Sequence, residues 1–487
     1  MQLKSKILIG LIALPLVLGS AMDTARAGEL TTNEELADRI AGAIRFETIS
    51  PENPADFDGR PFELLTAYLE NLYPRVFGNL ELEKVNDYTL VFKWQGADPQ
   101  IPPALFMAHL DVVPVEGAAV EEWAHPPFGG VIEDGYVWGR GALDVKTGAI
   151  FWLEAIEALL AEGFVPQRTI YLSLGHDEEI GGPNGAVAVA QLFRDRGIRP
   201  AFLFDEGGFI VDGYPLLPDK TTALVVIAEK AFFTVRLTAR GVSGHSSMPP
   251  KHTAIGKLAR AIVRVENNPM PARLITPVRE MFLAVSPYLS FSERFAFRNL
   301  WLTSGIVKRR LLKGRTSAPL VRTTFAATII SGGVKDNVIP ELAQATVNVR
   351  RLPGDTPEDV LEHLRDVIDD PEIEIEGSNW GDGATPASVD GFAFPMAAEA
   401  ILEVMPDVAV IPGLVPGATD SRHFSDLVDE ILRFIPQRIH MDLASGAHGR
   451  DERVAIEHLS ESLAIAVGMV RRAGAAPPAM NGVKESK

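Results

Sequence analysis

The sequence predicts an α/β protein: a mainly parallel, mixed sheet interrupted by a smaller inserted α+β unit. Apolar runs of strand length alternate with helical stretches on both sides of the insertion, the pattern of βαβ units. Successive runs at 104–108, 169–174 and 201–204 end in histidine or acid rather than in a plain turn. Near Glu229 the texture changes to alternating strands and amphipathic helices, and near Gly377 it changes back. With 487 residues the chain exceeds what one hydrophobic core holds, so at least two domains are expected.

The N-terminus reads as an export signal. Lys4 and Lys6 precede an apolar run from Ile7 to Leu18, followed by small residues ending Ala25-Arg26-Ala27. Cleavage is expected after Ala27, giving a signal over 1–27 and an exported protein, periplasmic or secreted. The run is short for a membrane span, and an uncleaved anchor is the lesser alternative. The catalytic domain then begins. Thr32-x-x-Glu35 is a capping-box pattern opening a helix over about 32–46. A Pro/Asp/Gly-rich loop over 50–61 leads to a helix over 62–72 and strands near 80–85 and 88–94. The strand at 104–108 runs into a long Pro/Gly-rich loop reaching Gly141, with Trp123, His125, Trp138 and Arg140 draped over a site. A helix over 146–161, the strand 169–174, a helix over 184–196 and the strand 201–204 complete the first part, 28–228. The insertion spans 229–377. The second part, 378–475, carries a helix over 393–404, a strand at 408–411, the loop Gly417-Ala-Thr419-Asp420 and a last helix over 453–472. Residues 476–487 read as a flexible tail.

Composition narrows the chemistry. The chain has no cysteine, which excludes disulfides, thiolate metal sites and a cysteine nucleophile. Any metal must be held by His, Asp and Glu. The formal charge of −18 becomes −20 once the signal's three basic residues and one acid are removed, which argues against nucleic acid as a partner. There is no G-x-S-x-G elbow, so a serine hydrolase of that type is excluded.

Polar residues collect at strand ends: His109 and Asp111, Asp144, Glu178 and Glu179, Asp205, and late in the chain His448. An isolated H-x-D is more often a solvated turn or a satisfied core histidine, and Glu178-Glu179 alone is more often a solvated turn. Gathered at the carboxyl edge of one open sheet, where ligands bind, they point to a site. Two imidazoles and three carboxylates suffice for two zinc ions sharing one bridging carboxylate. If Glu179 binds metal, Glu178 points elsewhere and is free to act as general base.

The segments Met107-Ala-His109-Leu-Asp111, Trp138-Gly-Arg-Gly-Ala-Leu-Asp144-Val-Lys146, Gly175-His-Asp-Glu178-Glu179 and Gly241-Val-Ser-Gly-His245-Ser resemble the M20 metallopeptidases. The branch most similar is carboxypeptidase S with the N-fatty-acyl amino acid synthase/hydrolases. The resemblance covers about 32–472. It implies a zinc exopeptidase-like catalytic domain, a dinuclear zinc site (with cobalt or manganese as replacements) and an inserted lid. It assigns His109 and Asp205 to one ion, Glu179 and His448 to the other, Asp144 as bridge, Glu178 as base and Asp111 as support for His109. On the lid, His245 would polarise the scissile carbonyl, while Asn337 and Arg350 would contact substrate. Arg350 is preferred to its neighbour Arg351 by motif alignment, and a guanidinium fork suits a terminal carboxylate. Gly417 and Thr419 match a substrate-side loop, with a plain structural turn an equal alternative. The family's bridging aspartate is followed by aspartate or methionine through a cis peptide; here Val145 follows.

One stretch departs from the rest. Residues 269–322 hold ten basic and two acidic residues, net +8, with many aromatic and aliphatic side chains. Basic amphipathic helices lie on anionic membrane surfaces, and lipid contact is one expectation for this segment; packing on the body or a second subunit is the other. Taken together, the sequence points to an exported dinuclear zinc hydrolase acting on a peptide or N-acyl amino acid next to a free carboxylate. It would be a monomer or a lid-mediated homodimer. A dipeptidase or aminopeptidase of the same metal fold is the alternative, though Arg350 argues against a pure aminopeptidase. An inactive binding protein would be expected to lack ligands or base, and none is missing.

Overall fold

The computed structural model describes residues 30–115, 117–379 and 383–476. The expected signal and all but the first residue of the expected tail lie outside them.

A ten-stranded mixed sheet forms the larger body. Its centre is four parallel strands in the order Ile170–Gly175, Ala104–His109, Phe202–Asp205 and Glu430–Arg433. Both faces of this centre are covered, which is why Ala104–His109 is an unbroken apolar run rather than an alternating one. On one face Phe106 and Phe204 stack, with centroids 5.8 Å apart. The helices Asn33–Ile44, Lys146–Ala161 and Leu459–Ala473 pack over them through Ile40, Phe151 and Leu463. On the other, Leu105, Met107 and Leu203 meet Val189 and Phe193 of the helix Ala186–Arg196. Truncating a ring such as Phe106 to alanine would cost about 3–5 kcal/mol. Parallel strands place their carboxyl ends on one edge, so His109, the turn after Gly175 and the Asp205-Glu206 pair converge by topology alone.

The capping box at Thr32 and Glu35 is formed. Two elements differ from expectation. Residues 453–455 form a strand rather than the start of the last helix, because they pair with Tyr136–Trp138, which in turn pairs with Val131–Glu133. The helix begins at Leu459. The long loop before Gly141 is therefore partly sheet. The peptide between Asp144 and Val145 is cis.

A second, antiparallel sheet of four strands is drawn from the expected lid, in the order Thr324–Gly332, Leu342–Arg351, Ala231–Arg240, Ile373–Asn379. The helices Ala254–Asn267 and Pro357–Ile368 close one of its faces through Leu258, Ala261 and Leu364. The basic stretch folds into the helices Thr276–Val285, Phe291–Arg298 and Leu300–Leu311. The first packs on the larger body, with Val278, Met281, Phe282 and Val285 in one cluster with Ala228, Ala409, Ile411 and Leu414.

Candidate active site

His109 ends its strand fully buried, and its imidazole is gripped from both sides. Nδ1 lies 3.0 Å from the Asp111 carbonyl oxygen and 3.4 Å from its Oδ1. Nε2 faces outward, 3.1 Å from Asp144 Oδ1 and 3.4 Å from Glu206 Oε1. Asp144 turns its other oxygen, Oδ2, to His448 Nε2 at 3.0 Å, and that nitrogen is also 3.1 Å from Glu179 Oε2. One carboxylate thus stands between two imidazoles. Glu178, Glu206 and His109 form a second group whose polar atoms lie within 4.8 Å of one another.

The charges distort one another. Burial alone would depress the His109 pKa, but the Glu206 charge and the Asp111 and Asp144 carboxylates more than offset it and hold it well above its usual value. Burial raises the Glu178 carboxyl well above the carboxylate range, reinforced by Glu206 and Asp420. Glu206 is pushed up to about 8 by burial and the Asp144 charge. His448, bonded to Asp144 and Glu179, rises to about 10. A cluster of five carboxylates and two imidazoles in this condition is short of positive charge at its centre.

A supporting layer fixes the geometry. Glu452, buried, accepts from the backbone N–H of Leu143 (2.7 Å) and Asp144 (3.0 Å), and pairs with Arg140 at 2.6 Å. Arg140 also donates to the His448 carbonyl at 3.2 Å, linking Asp144 to the loop that carries His448. Asp177 accepts from the N–H groups of Asn184 and Gly185, closing the loop behind Glu178-Glu179.

The site residues expected from sequence are placed unequally. His109, Asp111, Asp144, Glu178, Glu179 and His448 converge. Asp205 is buried at the end of the strand beside that of His109. Its Oδ2 accepts from the Ser421 N–H at 2.8 Å, and Glu206, one residue beyond the strand, reaches the cluster instead. Thr419 is buried, and its N–H and hydroxyl both donate to Glu229 Oε2, which ties its loop to the end of the strand Thr222–Glu229. Glu229 is in turn held by the buried Arg433 at 2.7 Å. Gly417 is two residues upstream, with only Val415 near where a Cβ would stand. Arg350 is half-buried over the Phe232 ring at 4.9 Å, within electrostatic range of Glu178 and Arg422. Burial and the Arg422 charge lower its pKa. Arg351 is buried and donates to the Asp355 carbonyl. His245 and Asn337 lie apart, on an exposed ribbon where Gly244–His245 pairs with Val338–Ile339 and Asn337 accepts from the Ser246 N–H. Sequence reading passed over Glu452, placed Arg140 in the loop over the site without giving it a partner, and gave no role to Glu206, the second acid of Asp205-Glu206-Gly-Gly.

The sheet edge and its His/carboxylate cluster define a metal-dependent hydrolase. The model of peptidase family M20/M25/M40 matches residues 105–472, and the chain belongs to this family. The probable carboxypeptidase S-like 2 of Dictyostelium discoideum is 40% identical over 433 residues, covering 88% of this chain and 83% of the relative. The N-fatty-acyl-amino acid synthase/hydrolase PM20D1 of Mus musculus is 35% identical over 429 residues, 87% of this chain and 84% of the relative. In fold, the M20 family metallo-carboxypeptidase Sso-CP2 of Sulfolobus solfataricus superposes with a TM-score of 0.65 at 21% identity, covering 90% of this chain and 99% of that one.

Proposed function

We propose that the protein is an exported dinuclear zinc hydrolase cleaving an amide bond next to a free carboxylate, either as a carboxypeptidase or as an N-acyl-amino-acid amidohydrolase. The observation that carries this reading is Asp144, which offers one oxygen to the His109 side and the other to the His448 side, as a bridging carboxylate does. The residues fit the metal: all donors are nitrogen or oxygen, and Glu179 Oε1 is buried without a hydrogen-bond partner. His109, Asp144 and Glu206 would hold one ion, and Asp144, Glu179 and His448 the other. When bound, the ions supply Lewis acidity that lowers the pKa of water and polarises an amide carbonyl.

Glu178 takes a proton from the attacking water and delivers it to the leaving nitrogen. Arg350 holds the substrate carboxylate with its planar fork, next to the base. His245 steadies the oxyanion, and its place on an exposed ribbon favours its acting after lid closure or in the site of a second copy. The strand Thr324–Gly332 supports a lid-mediated homodimer, since it ends its sheet among the described residues and Ile329 and Ile330 on it are about two-thirds exposed. The relatives supply both substrate classes, peptides and fatty-acyl amino acids.

The test is a hydrolysis panel of blocked dipeptides and fatty-acyl amino acids, with chelator and then added zinc. Hydrolysis lost on chelation and restored by zinc is expected. Turnover indifferent to chelation, or unchanged in Glu178→Ala, would overturn the reading.

A further inference from the structure

The helices Phe291–Arg298 and Leu300–Leu311 break the pattern of the rest of the surface. They expose Phe291 (85%), Trp301 (83%), Ile306 (66%), Leu302 (61%) and Phe295 (49%), all within sixteen residues of chain. Large apolar side chains clustered this way on a folded surface mark a contact with something. They are not loose: Phe297 stacks on Phe282 at 4.2 Å, and Phe282 is fully buried against the body.

The charge around them is equally unusual. Arg294, Arg298, Arg309, Arg310, Lys313 and Arg315 form no ion pair with any described carboxylate. Elsewhere the exposed arginines are mixed: Arg194, Arg196, Arg240, Arg365 and Arg450 each have one, while Arg60, Arg199, Arg236 and Arg260 have none among the described residues. Glu293, the lone acid of 291–315, is bonded to Ser290. Residues 269–322 carry +8 in a chain of −18, leaving −26 for the rest. Apolar side chains alternate with basic ones along each helix: Phe291 and Phe295 lead to Arg298, and Trp301, Leu302 and Ile306 lead to Arg309 and Arg310.

We propose that these two helices dock the protein onto anionic phospholipid bilayers. Aromatic and aliphatic side chains enter the headgroup boundary while the basic collar meets lipid phosphates. The acidic remainder is repelled by the same surface, so binding is confined to one orientation. A second copy meeting this face with its own would set +8 against +8. Nucleic acid would leave the apolar side chains unused.

The test is co-sedimentation of the full chain with vesicles of phosphatidylcholine alone or mixed with phosphatidylserine. Binding to the mixed vesicles only is expected. Arg309→Gln/Arg310→Gln should weaken it on the order of thirtyfold, at roughly 1 kcal/mol for each basic residue at the surface. Trp301→Ser/Ile306→Ser should weaken it about tenfold or more, and both variants should hydrolyse a small soluble substrate as the wild type does. Three results would overturn the proposal. One is no binding, or equal binding to both vesicles; another is variants that bind like wild type. The third is a change of solution mass in Trp301→Ser/Ile306→Ser, which would show that a second copy covers the face.

Discussion

Asp111 accepts hydrogen bonds from the backbone N–H groups of both Glu178 (3.2 Å) and Glu179 (3.0 Å), while its Oδ1 stands 3.4 Å from His109 Nδ1. One carboxylate therefore orients three residues, those proposed as the base and as two metal ligands. Asparagine has one acceptor and would turn an NH2 toward one of those N–H groups. Asp111→Asn should lower metal affinity 10- to 100-fold, about the usual cost of losing such a supporting partner, with kcat falling alongside. A chelator-competition titration reads it, and an affinity equal to wild type would confine Asp111 to a structural role.

Glu178 and Glu179 are neighbours with different surroundings, and substitution should separate them. Glu178→Gln keeps the shape and removes the base, so kcat should fall by about 10²- to 10⁴-fold with metal content unchanged. Glu179→Gln should lose metal. Equal metal loss from both would collapse the assignment of separate roles.

The choice between Asp205 and Glu206 is decided the same way. Glu206→Ala should reduce bound metal from two ions to one per chain, by elemental analysis. Asp205→Ala should retain both ions and instead lose about 1–3 kcal/mol of stability, because the buried Ser421 N–H loses its acceptor. The reverse outcome would return Asp205 to the metal.

These residues show how far the sequence could be read. The buried parallel strands were legible because an apolar run covered on both faces looks the same wherever it lies, and Thr32 with Glu35 carries its partner three residues away. Asp205 and Glu206 were not separable. The strand ends at Asp205, and past that point no alternation says which of two adjacent acids turns to the cleft. Thr419 read equally as a substrate contact or as part of a plain turn, and Glu229, 190 residues earlier, accepts from both its N–H and its hydroxyl. Glu452 supports Asp144 across 308 residues. Partners at such separation leave no local pattern. The strand at 453–455 was masked similarly, since only its pairing with Tyr136–Trp138 makes it a strand.

His423 gives the fold a built-in sensitivity to acid. Its ring packs behind the Glu178 turn, Nε2 3.0 Å from the Gly181 carbonyl. Burial, with Arg422 nearby, lowers its pKa from 6.5 to about 4. As pH falls through 6.5 the unfolded chain binds a proton here and the folded one does not. Stability contributed by neutral His423 is therefore complete above 6.5, is lost progressively toward pH 4 and changes no further below. Between about pH 7 and about pH 5 the loss from this residue is roughly 2 kcal/mol. His423→Gln retains a donor for the Gly181 carbonyl and has nothing to titrate. Urea unfolding at both pH values should show the variant losing less stability than wild type by that amount, and equal losses would mean another group carries the acid sensitivity.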